Sequence, residues 1–245
     1  SMNSTWNPQL CRDGCQFLPQ VLEAHQRAEV SATLERLLIS EDEGVLRSRG
    51  TAYGVRNLLR LWPEVVDLVR LPAVREQVQS ILGEQGGVVR GLVFDKPPER
   101  SWTLPWHRDR TLAIERVPED LLDFAHPTHK AGTAHILAPN WLLGEMLTSR
   151  FSIDPMTAEN GPLVVMPGSH QTDSAGDGDL DAPNTTLMQT VFCDAGDVFM
   201  MRPLLAHSSL VSRAGTSMRR RIIHLELCSR EQLPGEFCWE HFLRI

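Results

Sequence analysis

His107 and Asp109 lie two residues apart in Trp106-His107-Arg108-Asp109, and a further histidine, His207, follows far downstream. On an extended segment, residues i and i+2 project from one face. An imidazole and a carboxylate placed this way, joined by a second imidazole from a distant strand, would occupy one face of a metal ion. The opposite face stays open to small ligands, an arrangement suited to Fe(II) that handles O2. A lone His-x-Asp arises by chance in many chains, so its meaning depends on the elements that position it.

Those elements are expected to be strands. Asp194-Ala195-Gly196-Asp197 reads as a turn into the apolar run Val198–Met201, and Arg202-Pro203-Leu204-Leu205-Ala206-His207 presents the histidine just past it. From Gly86 onward short runs follow one another: Val88–Phe94, Trp102–Trp106, Met146–Ile153, Leu163–Met166, Thr186–Cys193, Val198–Met201 and Arg220–Leu227. Gly, Pro, Asn and Asp punctuate them, which predicts an antiparallel sandwich or barrel. Asp173 to Asn184 is expected to be an exposed loop, and Ala125–Lys130 a loop over the barrel mouth.

Two helical zones precede the strands. Phe17 to Ser40 carries Leu18, Val21, Leu22, Leu34 and Leu38 at near-helical spacing. The second zone runs from Pro63 to Leu82, with Pro72 expected to break it and Gly83 to cap it. The prediction is one domain over residues 1–245, mainly β with helices (α+β). A mainly helical layer, 1–85, packs on a double-stranded β-helix (jelly-roll) core, 86–245.

Composition narrows the class. The chain has 245 residues, 42% hydrophobic and 22% charged, with net charge −7 at pH 7. An acidic balance without a basic run argues against nucleic-acid or anionic-membrane partners. The five cysteines are odd in number and form no C-x-x-C pair, so reduced thiols and a cytoplasmic location are expected. No apolar run approaches the roughly 18 residues that a span requires. The N-terminus lacks a basic region followed by an apolar stretch, so no signal peptide is expected. The composition carries no mark of oligomeric state.

Several segments together resemble the phytanoyl-CoA dioxygenase family of Fe(II)/2-oxoglutarate oxygenases, over about Arg47 to Trp239. These are Val93-Phe94-Asp95-Lys96 ahead of Leu104-Pro105-Trp106-His107-Arg108-Asp109; Glu159-Asn160-Gly161-Pro162-Leu163 running on to Pro167-Gly168-Ser169-His170; Gly196-Asp197 through Pro203 to His207; and the arginine strand after it. The resemblance implies that His107, Asp109 and His207 are iron ligands, with Fe(II), 2-oxoglutarate and O2 as the reacting set. It also implies an arginine on the final strand for the distal carboxylate of 2-oxoglutarate, a task suited to the planar, permanently charged guanidinium. Alternation puts Arg220, Ile222, His224 and Glu226 on one face, and Arg219, Arg221, Ile223 and Leu225 on the other. The family's Arg-Arg followed by apolar residues best matches Arg220-Arg221-Ile222-Ile223, which selects Arg220, with Arg219 left open. Ser209 matches a family position that can hydrogen-bond the cosubstrate, or is an ordinary strand-end serine. Lys96 either adds positive charge near cosubstrate or substrate or is solvated at a strand end.

Other conspicuous residues are expected to be structural. His170 sits in a turn that needs Gly168, and His126 and His129 are expected at the surface. His224 either faces the cavity beside Arg220 or satisfies a backbone carbonyl. Arg56 and Asn57 form a polar island that could reach the pocket. The expected function is a 2-oxoglutarate-dependent dioxygenase that hydroxylates a small molecule and releases succinate and CO2. The alternative is an inactive jelly-roll module that binds a ligand. Asp109 favours hydroxylation over halogenation, which needs that ligand position vacated. No cluster for the phosphates of coenzyme A stands out, so the family name does not supply the substrate.

Overall fold

The computed structural model describes residues 5–171 and 187–245; the expected loop Asp173 to Asn184 lies outside them. In chain order the elements are α1 (Leu10–Asp13), β1 (Cys15–Leu18), α2 (Ala24–Ile39), β2 (Val45–Ser48), β3 (Thr51–Val55), α3 (Leu58–Leu61), a 3-10 helix (Pro63–Leu68) and α4 (Pro72–Leu82). They continue with β4 (Gly87–Lys96), β5 (Leu104–His107), β6 (Thr111–Ile114), β7 (Ala125–Lys130), β8 (Thr133–Leu137), α5 (Asn140–Leu143), β9 (Met146–Ser152) and β10 (Leu163–Val165). The last are β11 (Gln189–Thr190), β12 (Val198–Met201), β13 (His207–Ser209), β14 (Arg220–Cys228) and β15 (Leu243–Arg244).

Local chemistry sets the helix ends. The Glu23 side chain caps the N-terminus of α2 while the Gln26 side chain accepts the Glu23 N–H at 2.8 Å, a reciprocal cap. Val30, Leu34 and Leu38 then recur every four residues on the buried stripe. Pro72 starts α4, where a missing N–H costs nothing, and Gly83 ends it at φ 79°. The break at Pro72 is as the sequence predicts.

Among the described residues the strands form an eight-stranded sheet ordered β1-β12-β9-β14-β4-β3-β2, with β15 beside β4. A four-stranded sheet, β11-β10-β13-β5, and a three-stranded sheet, β6-β8-β7, complete the jelly roll. The large sheet has two faces of different chemistry. Ile223, Leu225 and Leu227 of β14, with Phe151 of β9 and Val93 of β4, pack outward against Leu34, Val65, Val74 and Val78 of the helical layer. The alternate residues look inward, where Phe199, Met201 and Ile222 meet Leu163, Val165 and Val191 of the smaller sheet. The next residues along that inward face are charged, and they belong to the site.

Two expectations need correction. Phe17 to Ser40 is not one helical zone: Cys15–Leu18 is a strand whose backbone pairs with β12, and the helix begins at Ala24. Sheet-edge hydrogen bonds supplied by a distant strand override the local helical spacing. Residues 1–85 carry more helix than strand, and β2 and β3 within them extend the large sheet beyond β4. Ala125–Lys130 is an exposed edge strand paired with β8, not a loop. Its polar residues read as loop because nearly the whole strand meets water.

Phe151 is fully buried between the helical layer and the sheet. Phe151→Ala should lower the unfolding free energy by about 3–5 kcal/mol, read from denaturant titration.

Candidate active site

β5 and β13 run antiparallel with His107 directly opposite His207. The two rings lie 4.2 Å apart between centroids, tilted by 55°. Each Nδ1 sits 2.8 Å from the carbonyl two residues earlier, Pro105 for His107 and Leu205 for His207. A carbonyl partner assigns the proton to Nδ1 and turns Nε2 toward Asp109 as an electron-pair donor. Asp109 is held by its backbone N–H, which donates to the Pro203 carbonyl at 2.9 Å. Its Oδ1 is 3.5 Å from both histidine Nε2 atoms.

The three donor atoms lie within 4.8 Å of one another. Asp109 Oδ2 is buried and has no hydrogen-bond partner among the described residues. Burial opposes ionisation of this carboxyl, but the His207 and His107 rings, when protonated, hold it well below the ordinary carboxylate range. Two imidazole nitrogens and an orphaned carboxylate oxygen on one side of a common point fit a divalent metal.

Behind the triad lies a small pocket lined by Trp102, Arg150, Ser209, Arg220 and His224. Its chemistry follows from strand register. Arg220 stands opposite Lys96, and His224 opposite Arg150, on the inward face of the large sheet. Arg220 is 1% exposed; its Nη1 donates to the Gly161 carbonyl at 2.6 Å, while Nε has no partner. Burial, then the neighbouring Arg150, pushes its guanidinium down to about 9. Arg150 reaches His224 Nδ1 at 3.2 Å and is itself pushed down to about 10 by burial. His224 therefore faces the cavity, and its Nε2 meets Glu226 at 3.0 Å rather than a backbone carbonyl.

Arg219 and Arg221 are engaged elsewhere. Arg219 donates to Asp95 at 2.8 Å and Glu35 at 2.9 Å, and Arg221 to Asp154 at 2.9 Å. Strand alternation leaves Arg220 as the member of the triplet that enters the cavity.

A model of the phytanoyl-CoA dioxygenase (PhyH) family matches residues 10–221. The chain belongs to the phytanoyl-CoA dioxygenase family. No curated protein matches it by sequence. Among solved structures it is similar to AviO1 from Streptomyces viridochromogenes Tue57, at 23% identity over 92% of this chain and 94% of that one, TM-score 0.64. The non-heme alpha ketoglutarate dependent epimerase SnoN from nogalamycin biosynthesis is 20% identical, over 93% and 85%, TM-score 0.65. EctD from S. alaskensis, solved with 2-oxoglutarate and 5-hydroxyectoine, is 16% identical, over 89% and 73%, TM-score 0.65. At these identities the likeness speaks to the fold, the jelly roll that the family shares.

Within this member of the family, Glu159-Asn160-Gly161-Pro162-Leu163 builds the cavity floor. Buried Asn160 accepts the Thr157 N–H at 2.8 Å and donates to the Pro155 carbonyl at 2.7 Å. Gly161 has φ 69°, and a Cβ there would lie 2.4 Å from the Leu210 carbonyl, so only glycine fits. Its carbonyl accepts from both Arg220 and Lys96. Lys96 is buried, not solvated; it also donates to Ser209 Oγ at 2.7 Å and to the Leu210 carbonyl, and sits 4.6 Å from the Trp102 ring centroid. His170 lies apart from the triad, its Nε2 3.1 Å from the Cys11 carbonyl, while His126 and His129 are exposed. All five cysteines are free.

Sequence reasoning missed Arg150 and Trp102 as cavity residues. An arginine centred in the otherwise uncharged run Met146–Ser152 was the available sign, because such a residue is buried only with a purpose. Trp102 precedes β5, in a segment expected to be strand.

Burial, with Arg220 and Arg150 nearby, pushes Lys96 from 10.5 down to about 6, against the pull of its three oxygen acceptors. Between those values the unfolded chain binds a proton that the folded chain does not. This contribution should therefore make stability rise with pH from about 6 to 10.5. Lys96→Met should flatten that slope, as measured by urea unfolding at a series of pH values.

Proposed function

We propose that the chain is an Fe(II)- and 2-oxoglutarate-dependent dioxygenase that hydroxylates a small molecule and releases succinate and CO2. The observation that carries this is the cross-strand pair His107–His207 converging with Asp109, whose Oδ2 is buried without a partner. His107, Asp109 and His207 would hold the iron. When bound, the iron with 2-oxoglutarate and O2 supplies the oxidant for an unactivated C–H bond.

The remaining residues do binding and exclusion. Arg220 takes the distal carboxylate of 2-oxoglutarate, because its buried Nε lacks a partner and no carboxylate of the chain pairs with it among the described residues. Arg150 adds positive charge to the same cavity, while Lys96, which burial leaves uncharged near pH 7, bonds Ser209, and Ser209 orients Lys96 or bonds the cosubstrate. Phe94, Trp102 and Leu163 wall off water. The Pro105 and Leu205 carbonyls favour the tautomer that carries the proton on Nδ1, with Nε2 turned toward the metal position. The helical layer and the jelly roll serve as one oxygenase domain, with a cytoplasmic location as the working assignment. The partner is a small-molecule substrate, since a narrow pocket behind an open cleft suits a small ligand.

Anaerobic Fe(II) and 2-oxoglutarate should produce the weak visible charge-transfer band of the chelate. His107→Ala and Asp109→Ala should lose both that band and succinate formation; full succinate output from either variant would sink the ligand assignment. A folded wild-type protein with no band supports instead a ligand-binding module without turnover. Arg220→Ala should raise the KM for 2-oxoglutarate roughly thirtyfold or more, the equivalent of about 2 kcal/mol. Arg219→Ala and Arg221→Ala should change it far less in steady-state assays, because their guanidiniums point away from the cavity.

A further inference from the structure

A second, open cleft approaches the triad from the other side. It shares Phe94, Leu104, His107, Asp109 and His224 with the inner cavity, so a molecule seated in it reaches the reacting centre. Its charge is one-sided. Arg56 just past β3, Arg90 on β4 and Lys130 at the end of β7 line it, and none of these lines the inner cavity. The carboxylates along the cleft are Asp109, of the triad, and Glu226, which is taken up by His224 at 3.0 Å and Arg90 at 3.6 Å. Arg56 and Lys130 form no ion pair with a carboxylate among the described residues.

The cations are held together by backbone architecture. Asn57, next to Arg56, adopts φ 53° and donates from Nδ2 to the Ala131 carbonyl at 2.8 Å, while its Oδ1 accepts from Thr133 Oγ1 at 3.1 Å. That clamp ties the β7–β8 hairpin tip, and Lys130 with it, beside Arg56. Burial, then Arg56 and Arg90, lowers the affinity of Lys130 for its proton, the mark of like charges gathered at one place. In a chain of net charge −7, such a concentration favours an incoming anion.

We propose that the primary substrate is an anion, its carboxylate or phosphate group held by Arg56, Arg90 and Lys130 while its oxidisable carbon lies over the His107–Asp109–His207 triad. This rests on the oxygenase assignment above and is separate from the distal carboxylate of 2-oxoglutarate, which belongs to Arg220 in the inner cavity. Arginine and lysine together suit an oxyanion exposed on several sides.

The test uses the full chain loaded anaerobically with Fe(II) and 2-oxoglutarate, titrated at low salt with hexanoate, hexyl phosphate and uncharged hexanamide. Calorimetry and the shift of the charge-transfer band report binding. One of the two anions should bind at least roughly tenfold tighter than hexanamide, and the stronger of the two identifies carboxylate or phosphate. Arg56→Gln combined with Lys130→Gln should remove that preference without changing 2-oxoglutarate affinity, and Arg56→Lys should retain most of it. The proposal is overturned if hexanamide binds as tightly as the anions, if no probe binds, or if the preference survives in the double variant. It is also overturned if the anion effect vanishes in Arg220→Ala instead, since the anions would then occupy the cosubstrate cavity. A normal chelate band without anion preference refutes the substrate class alone. Anion binding that depends on Arg56 and Lys130 in a protein that gives no band supports the cationic cleft while refuting the oxygenase assignment.

Discussion

The antiparallel pairing of β5 with β13 is the constraint on which the site depends. It sets His207 directly opposite His107, although the two are separated by most of the jelly roll in sequence. Local backbone chemistry then does the rest. Each strand presents a carbonyl two residues before its histidine, each carbonyl takes the Nδ1 proton, and both Nε2 atoms are left facing Asp109. The loop after β5 is fastened to the approach of β13 through the Asp109 N–H and the Pro203 carbonyl. A one-residue slip in this ladder would turn one histidine to the opposite face and dissolve the donor set.

A second tension runs through the same interior. Lys96 and Arg220 face each other across β4 and β14, and Arg150 stands on the neighbouring strand, all buried. Two charges directly opposite one another would destabilise a sheet, and burial together with Arg220 and Arg150 drives the proton off Lys96 instead. The chain offsets part of the cost of burial with the Gly161 and Leu210 carbonyls, the Ser209 hydroxyl and the face of Trp102. What those neutral partners leave over is a cavity that favours an acid. The outer cleft repeats the pattern with Arg56, Arg90 and Lys130, so the triad lies between two regions of positive potential.

Much of the scaffold was legible in the chain because strands of a jelly roll carry their own marks. Val88–Phe94, Met146–Ile153 and Val198–Met201 are apolar runs bounded by turn residues, and each became a strand, the last with the same bounds and the others shifted by one or two residues. Cys15–Leu18 and Ala125–Lys130 were not legible, for opposite reasons. The first resembles the helix that follows it and is strand only because β12 offers an edge. The second is so polar that it reads as loop, since an exposed edge strand has little apolar periodicity.

The order and type of His107, Asp109, His207 and the arginine strand were written in the sequence, because metal ligation and carboxylate binding demand particular side chains at particular spacings. The family resemblance pointed to Arg220 and left Arg219 open, and alternation along β14 set the two on opposite faces. The sequence alone did not reveal that Lys96 is buried against Ser209, that Arg150 faces His224, or that Arg56, Arg90 and Lys130 share one cleft. Each of those depends on which strands become neighbours and in what register. Register is a property of backbone pairing across long separations, and no local pattern of residues encodes it. The folded chain therefore brings basic residues from separate parts of the chain to the two sides of His107, Asp109 and His207.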